Sequence, residues 1–211
     1  KVDVGTDQKD LIRREVGQVD ASERMSDGES LATAIVVVQG LAASEYIHSD
    51  AKTDIADEAE KASYGPLLVA IGDSQKALAE EILKSWNSTD GMLSQMTKFP
   101  NQRYADSHEA IADLLRAQVT ALDTLKKKLG APMGRQSKGI AQPLQAEAWR
   151  SHNSMNSLQA SLKAAQAVWV GVDNQGLRGL LPSDQKALAG KIDDAYATSL
   201  KLLADNQKTL G

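Results

Sequence analysis

Two short runs in this chain hold side-chain types at spacings that could do chemistry. In the first, Glu45 and His48 stand three residues apart. On a helix both leave the same face, and a glutamate followed three residues later by a histidine is the donor spacing of carboxylate-bridged metal sites in helical bundles. A dinuclear site needs a second such pair. His108 and His152 do not follow a glutamate at that distance, so Glu45 and His48 offer part of one ligand set, for iron or another divalent metal. The alternative is structural: Glu45 falls on an apolar helical stripe, where an ionised carboxylate is costly unless a hydrogen-bond donor or a basic side chain satisfies it.

The second run is Glu147-Ala148-Trp149-Arg150-Ser151-His152. If a helix opens at Pro143, Glu147 and Ser151 share a face at i and i+4. Ser151 falls on the apolar stripe, but no nucleophile elbow surrounds it, and His152 leaves the same helix about 100° away. The run therefore reads as a polar and aromatic patch for a ligand, or as polar positions that satisfy one another, rather than as a serine nucleophile with its base.

Composition removes other chemistries. With no cysteine, thiol catalysis, cysteine-ligated zinc and disulfides are excluded. The formal net charge is -4, and the only dense basic run is Lys126-Lys127-Lys128, so nucleic acid is not an expected partner. Those lysines close a predicted helix, where positive charge complements the helix dipole. The longest apolar run, Ala34 to Val38, falls far short of the roughly 20 residues a membrane helix needs.

The elements that must position these residues are helices. Hydrophobic residues make up 42% of the 211, with a single Phe, which favours close helix packing over an aromatic sheet core. The expected fold is all-α, with long antiparallel helices in one or two bundles, divided into regions 1–98 and 99–211. Helices are predicted over 7–19 and 29–49, the latter with Leu31, Ala34, Ile35, Val38, Leu41, Ala42 and Glu45 on its buried stripe. Pro66 is expected in the first turn of the next, whose stripe runs from Leu67 through Ile71, Leu78 and Ile82 to Trp86. A fourth spans 106–129 and ends at Gly130 in a left-handed cap. A fifth runs from Pro143 through Leu144, Ala148, Ser151, Met155, Leu158, Leu162 and Ala165 to Trp169, and a last one is capped by Ser183.

The same residues carry a resemblance. The run Val38-Gln39-Gly40-Leu41-Ala42-Ala43-Ser44-Glu45-Tyr46, a helix ending at Trp86, and Ala146-Glu147-Ala148-Trp149-Arg150-Ser151 with Ser154 and Leu158 resemble, in order and separation, the imelysin family, over roughly Asp10 to Tyr196. That family includes insulin-cleaving membrane proteases and iron-regulated protein A homologues. The resemblance implies two helical bundles with a functional groove between them, built around a Gly-x-His-x-x-Glu motif. Gly40 and Glu45 match its glycine and glutamate, while Ala42 stands at the histidine position. The groove residues it implies are Gly40, Glu45, Glu147, Trp149, Arg150 and Ser151, with Glu45 and His48 as the candidate metal pair.

It further implies an exported bacterial protein, periplasmic or bound to the cell envelope, with a leader removed and a lipid anchor possible upstream, serving iron acquisition as a non-enzymatic ligand- or partner-binding component. A metallopeptidase and a structural interaction module are the alternatives. Members of the family extend further at the N-terminus, so the chain is expected to be a fragment whose apolar helix faces are covered by another chain or by the rest of the same protein.

Overall fold

The computed structural model of the chain describes residues 40–206 apart from Lys52. The helix predicted over 7–19 and the first half of that predicted over 29–49 lie outside the described residues. The protein divides into two compact units, Lys1–Arg103 and Tyr104–Gly211. All regular structure among the described residues is helical, as the composition requires.

In the first unit, α1 (Leu41–Ser49) buries Ala43, Tyr46 and Ile47, a spacing that sets one face of the helix against Leu67, Ala70 and Ile71 of α2 (Glu58–Asn87). Ile55, Tyr64 and Leu68 close the edges of this core. Pro66 is not in a first turn. The helix opens eight residues earlier, because the Asp57 carboxylate accepts from the Ala59 and Glu60 amides at 3.0 Å each and Glu58 and Glu60 add negative charge to the first turn. The α2 stripe also stops being buried sooner than its sequence predicts: Leu67 and Ile71 are covered, whereas Leu78, Ile82 and Trp86 are exposed. After the turn Ser88 to Asp90, Gly91 leads into α3 (Met92–Thr97). A Cβ there would come within 2.6 Å of the Ser85 and Trp86 carbonyl oxygens, so the reversal needs glycine.

The second unit is built from α4 (Ser107–Gly130), α5 (Ser154–Val170) and α6 (Lys186–Asp205). Asp106 opens α4 with a capping box: its carboxylate accepts from His108 and Glu109 N–H at 2.9 and 3.1 Å, and Glu109 Oε2 accepts from the Ala105 amide at 2.7 Å. Helix α5 packs against both α4 and α6. Leu129, Leu158 and Leu203 meet at one end and Leu115, Trp169 and Ile192 at the other, so the three helices run up, down and up. The core between them is Leu162, Ala165, Trp169, Leu177, Ala189 and Tyr196, with Ile111, Leu114, Leu122 and Leu125 alongside.

Three sequence expectations fail locally here. Gly130 ends α4 but is not left-handed: it is buried, with Arg135 Cδ 3.1 Å from where a Cβ would stand, and the left-handed glycines of the following loop are Gly134 and Gly139 at φ 85° and 82°. No long helix opens at Pro143. Pro143–Gln145 is one 3-10 turn, Ala148 and His152 take φ of 56° and 55°, and α5 begins only at Ser154. Leu144 is exposed, so the buried stripe starts at Met155; the apparent periodicity ahead of it is an accident of alanine and serine spacing. Ser183 lies in a 3-10 turn and makes no cap bond; α6 starts at Lys186.

Candidate functional site

The motif residues of the first unit sit at the start of α1. Gly40 is its extended N-cap, and its carbonyl accepts from Ala43 and Ser44 N–H at 3.1 and 3.4 Å. Ala42, at the motif's histidine position, is exposed. Glu45 is half-buried rather than buried, because the face of α1 that packs is that of Ala43, Tyr46 and Ile47, while Leu41, one turn before Glu45, is 74% exposed. His48 is exposed and its Nδ1 lies 2.8 Å from the Ser44 carbonyl, to which it donates. Among the described residues no three His, Asp or Glu side chains converge as a metal site would require. Glu45 and His48 share a helix turn without the third protein ligand that a catalytic zinc typically takes.

In the second unit, Glu147, Trp149, Arg150 and Ser151 stand together, but in the irregular segment ahead of α5 rather than on one helix face. Glu147 Oε2 pairs with Lys128 Nζ at 2.7 Å, joining this segment to the end of α4. The Arg150 guanidinium lies 4.4 Å from the Trp149 ring centroid, a cation–π contact. The Ser151 hydroxyl donates to the Ala148 carbonyl at 3.2 Å and so helps close the turn. These partners explain the cluster as the anchor of a loop; the shared face of Glu147 and Ser151 expected from helical spacing does not form.

The most site-like feature was not singled out by the sequence. A trough runs between α4 and α6 over the floor provided by α5. Its two stretches, of about 300 and 440 Å³, share Leu122, Leu162 and Ser199. Leu125, Leu129, Leu158, Leu202 and Leu203 continue it in one direction and Leu115, Val119, Trp169 and Ile192 in the other. Across its floor Gln118 Nε2 donates to the Ala165 carbonyl at 2.5 Å and to the Tyr196 hydroxyl oxygen at 2.8 Å. Burial holds the Tyr196 phenol above the ordinary tyrosine value, against the opposing pull of that hydrogen bond. Beyond Leu158 the hydroxyl of Ser154, 3% exposed, is buried with no hydrogen-bond partner beside Lys128 and Glu147. The sequence signal was available: α4 carries Leu115 and Val119 beside Ile111, Leu114, Leu122 and Leu125, an apolar stripe wider than one neighbouring helix covers.

One polar anchor fixes the far end of the trough. Asp193 of α6 accepts from the Trp169 indole at 2.8 Å and from Arg178 Nε at 2.9 Å. The indole bond first, and the Arg178 bond and charge after it, hold its carboxyl below the ordinary value. A depressed folded-state pKa contributes stability that is fully present above the unfolded value of about 3.9 and is lost as pH falls through the folded value. Thermal melts of Asp193→Asn should therefore fall below wild type at neutral pH and approach it as pH falls through the folded-state value. Equal melting temperatures at pH 7 would remove this anchor.

Compared with known proteins, the chain matches a family model, Imelysin, which carries a peptidase designation, over residues 1–210. No curated protein and no solved structure matches the chain. The family match covers nearly the whole length, both units included, and it falls on the residues whose order and spacing first pointed there. The chain belongs to the imelysin family.

Proposed function

We propose that this chain is a non-enzymatic binding component of the imelysin family, exported to the bacterial periplasm or cell envelope and serving iron acquisition, with the α4–α5–α6 trough as its ligand site. The observation that carries this reading is the trough itself. Its combined volume lies within the range of small-molecule sites, and it is apolar with a few fixed polar groups, the usual make-up of such sites. Export and the link to iron rest on family kinship. Gly40 and Glu45 in the first unit, and Glu147, Trp149, Arg150 and Ser151 in the second, remain proposed as ligand contacts, each within its own unit.

A metallopeptidase needs a metal that polarises the scissile carbonyl and activates water, with a base to take the proton. The alanine at position 42 and the lack of a third donor near Glu45 and His48 among the described residues weigh against it. The test is metal content by mass spectrometry on protein purified without chelators, followed by titration of ferrous, ferric and zinc ions into wild type and Glu45→Ala. No stoichiometric metal in either protein is the expected result. One equivalent bound by wild type and lost in Glu45→Ala would restore the metal site at Glu45 and His48 and raise both the iron-binding and the peptidase readings.

A further inference from the structure

The trough has a charge pattern that narrows its ligand. Of the residues lining its two stretches, the only charged ones are Lys126 and Lys191; no Asp or Glu faces it among the described residues. Lys126 also lines a second, polar pocket of about 310 Å³ on the adjoining side of α4, together with Asp123, Lys127, Arg135 and Gln136. There Asp123 is committed to Lys127 at 2.7 Å, and the surrounding cations hold its carboxyl below the ordinary value. Lys126 forms no ion pair among the described residues, so its ammonium stands where a leucine-lined slot meets a cation-rich pocket. From Leu115 to Lys126 the trough follows 11 residues of α4, about 17 Å at 1.5 Å per residue, long enough for an extended fatty acyl chain. The Gln118–Tyr196 bond ties α4 to α6 across the floor.

We propose that the trough takes a single-chain anionic amphiphile, a long-chain carboxylate whose tail lies along Leu122, Leu162 and Val119 and whose head group is paired by Lys126. This rests on the reading of the trough as the ligand site and adds the chemical class. Lys126, rather than Lys191, takes the head group because Arg135 lines the adjoining pocket with it, while the Asp123 carboxylate there is already paired with Lys127. Lys126 is exposed, so its contribution is that of one charge-assisted hydrogen bond rather than a buried ion pair.

The experiment is isothermal titration of the whole chain with monomeric tetradecanoate, tetradecanol and tetradecyltrimethylammonium, with circular dichroism confirming that each variant folds. Tetradecanoate is expected to bind one to one. Lys126→Ala should weaken it about tenfold, the size of one hydrogen bond to a charged group, and Lys191→Ala should change it less than about twofold. Val119→Asp, at a position 66% exposed and therefore tolerant of a polar residue, should abolish binding by placing a like charge in the slot. If tetradecanol binds as tightly as tetradecanoate, or Lys126→Ala binds unchanged, the anionic class is overturned while the trough survives as an apolar site. If none of the three binds and the chain sediments as a dimer, a second copy covers the trough, and both this inference and the ligand-site reading fail.

Discussion

Gly171→Ala is expected to be among the most destabilising single substitutions in the second unit. Gly171 follows α5 at φ 72° and ψ 174°, a backbone region open essentially to glycine alone. An added Cβ would lie 2.1 Å from Gly176 N and 2.4 Å from Gly176 Cα, so the clash is with backbone and no side-chain rotation relieves it. The Gly176 amide donates to the Val170 carbonyl at 2.9 Å, which locks the crossing that the substitution would open. Backbone strain of about 1–3 kcal/mol and overpacking of similar size together suggest a loss of roughly 4 kcal/mol. Gly190→Ala provides the contrast. A Cβ at that position of α6 meets nothing within 4 Å, so the change should stabilise by about 0.5–1 kcal/mol through helix propensity. Thermal melts followed at 222 nm check both; a Gly171→Ala protein melting with wild type would show that the crossing is not as close as described.

The second large effect is expected at Trp169→Ala. Trp169 is 6% exposed, belongs to the core of the second unit, lines the trough and donates its indole N–H to Asp193. Removing a buried tryptophan side chain costs about 3–5 kcal/mol, a large share of the 5–15 kcal/mol that ordinarily holds a domain together. Denaturant unfolding should show a lower midpoint, and combining the change with Asp193→Asn should cost less than the sum of the two, because the second substitution has no indole bond left to remove. Strict additivity would mean that the indole and carboxylate act independently.

Much of this architecture is written in helical periodicity. The stripes of α4 and of α5 from Met155 onward predict the buried faces, because long runs of Leu and Ile at i, i+3 and i+4 leave one way to bury them. The expected failures lie where weaker signals compete. Pro66 looked like a helix start, yet Asp57 and the acidic turn behind it supply a cap early enough for the helix to run through the proline. Glu45 looked buried because the stripe was counted from Leu31, whereas in α1 the packed face is rotated to Ala43, Tyr46 and Ile47. Small residues gave Ala146 to Ser151 a false helical register, since alanine and serine fit a helix stripe and a turn equally well.

The family was legible because motif order and separation are sequence properties. The trough was only hinted at, by the wide apolar stripe of α4, because its other walls come from α5 and α6 and only their packing shows which apolar residues stay uncovered. The residues singled out for chemistry divide accordingly. Gly40, Glu45 and His48 are spread along α1 from its N-cap to its last turn, and Glu147 to Ser151 share a loop anchored on Lys128; among the described residues neither group forms a cluster of three metal-ligating side chains.

The central claim is that this imelysin-family chain binds rather than cleaves, and incubation with an unfolded polypeptide tests it most directly. Purified chain and Glu45→Ala would be mixed with reduced insulin B chain, each with added zinc or ferrous ion, and the peptides followed by mass spectrometry. The account predicts intact substrate in every mixture. Cleavage by the metal-loaded wild type that is lost in Glu45→Ala would contradict it.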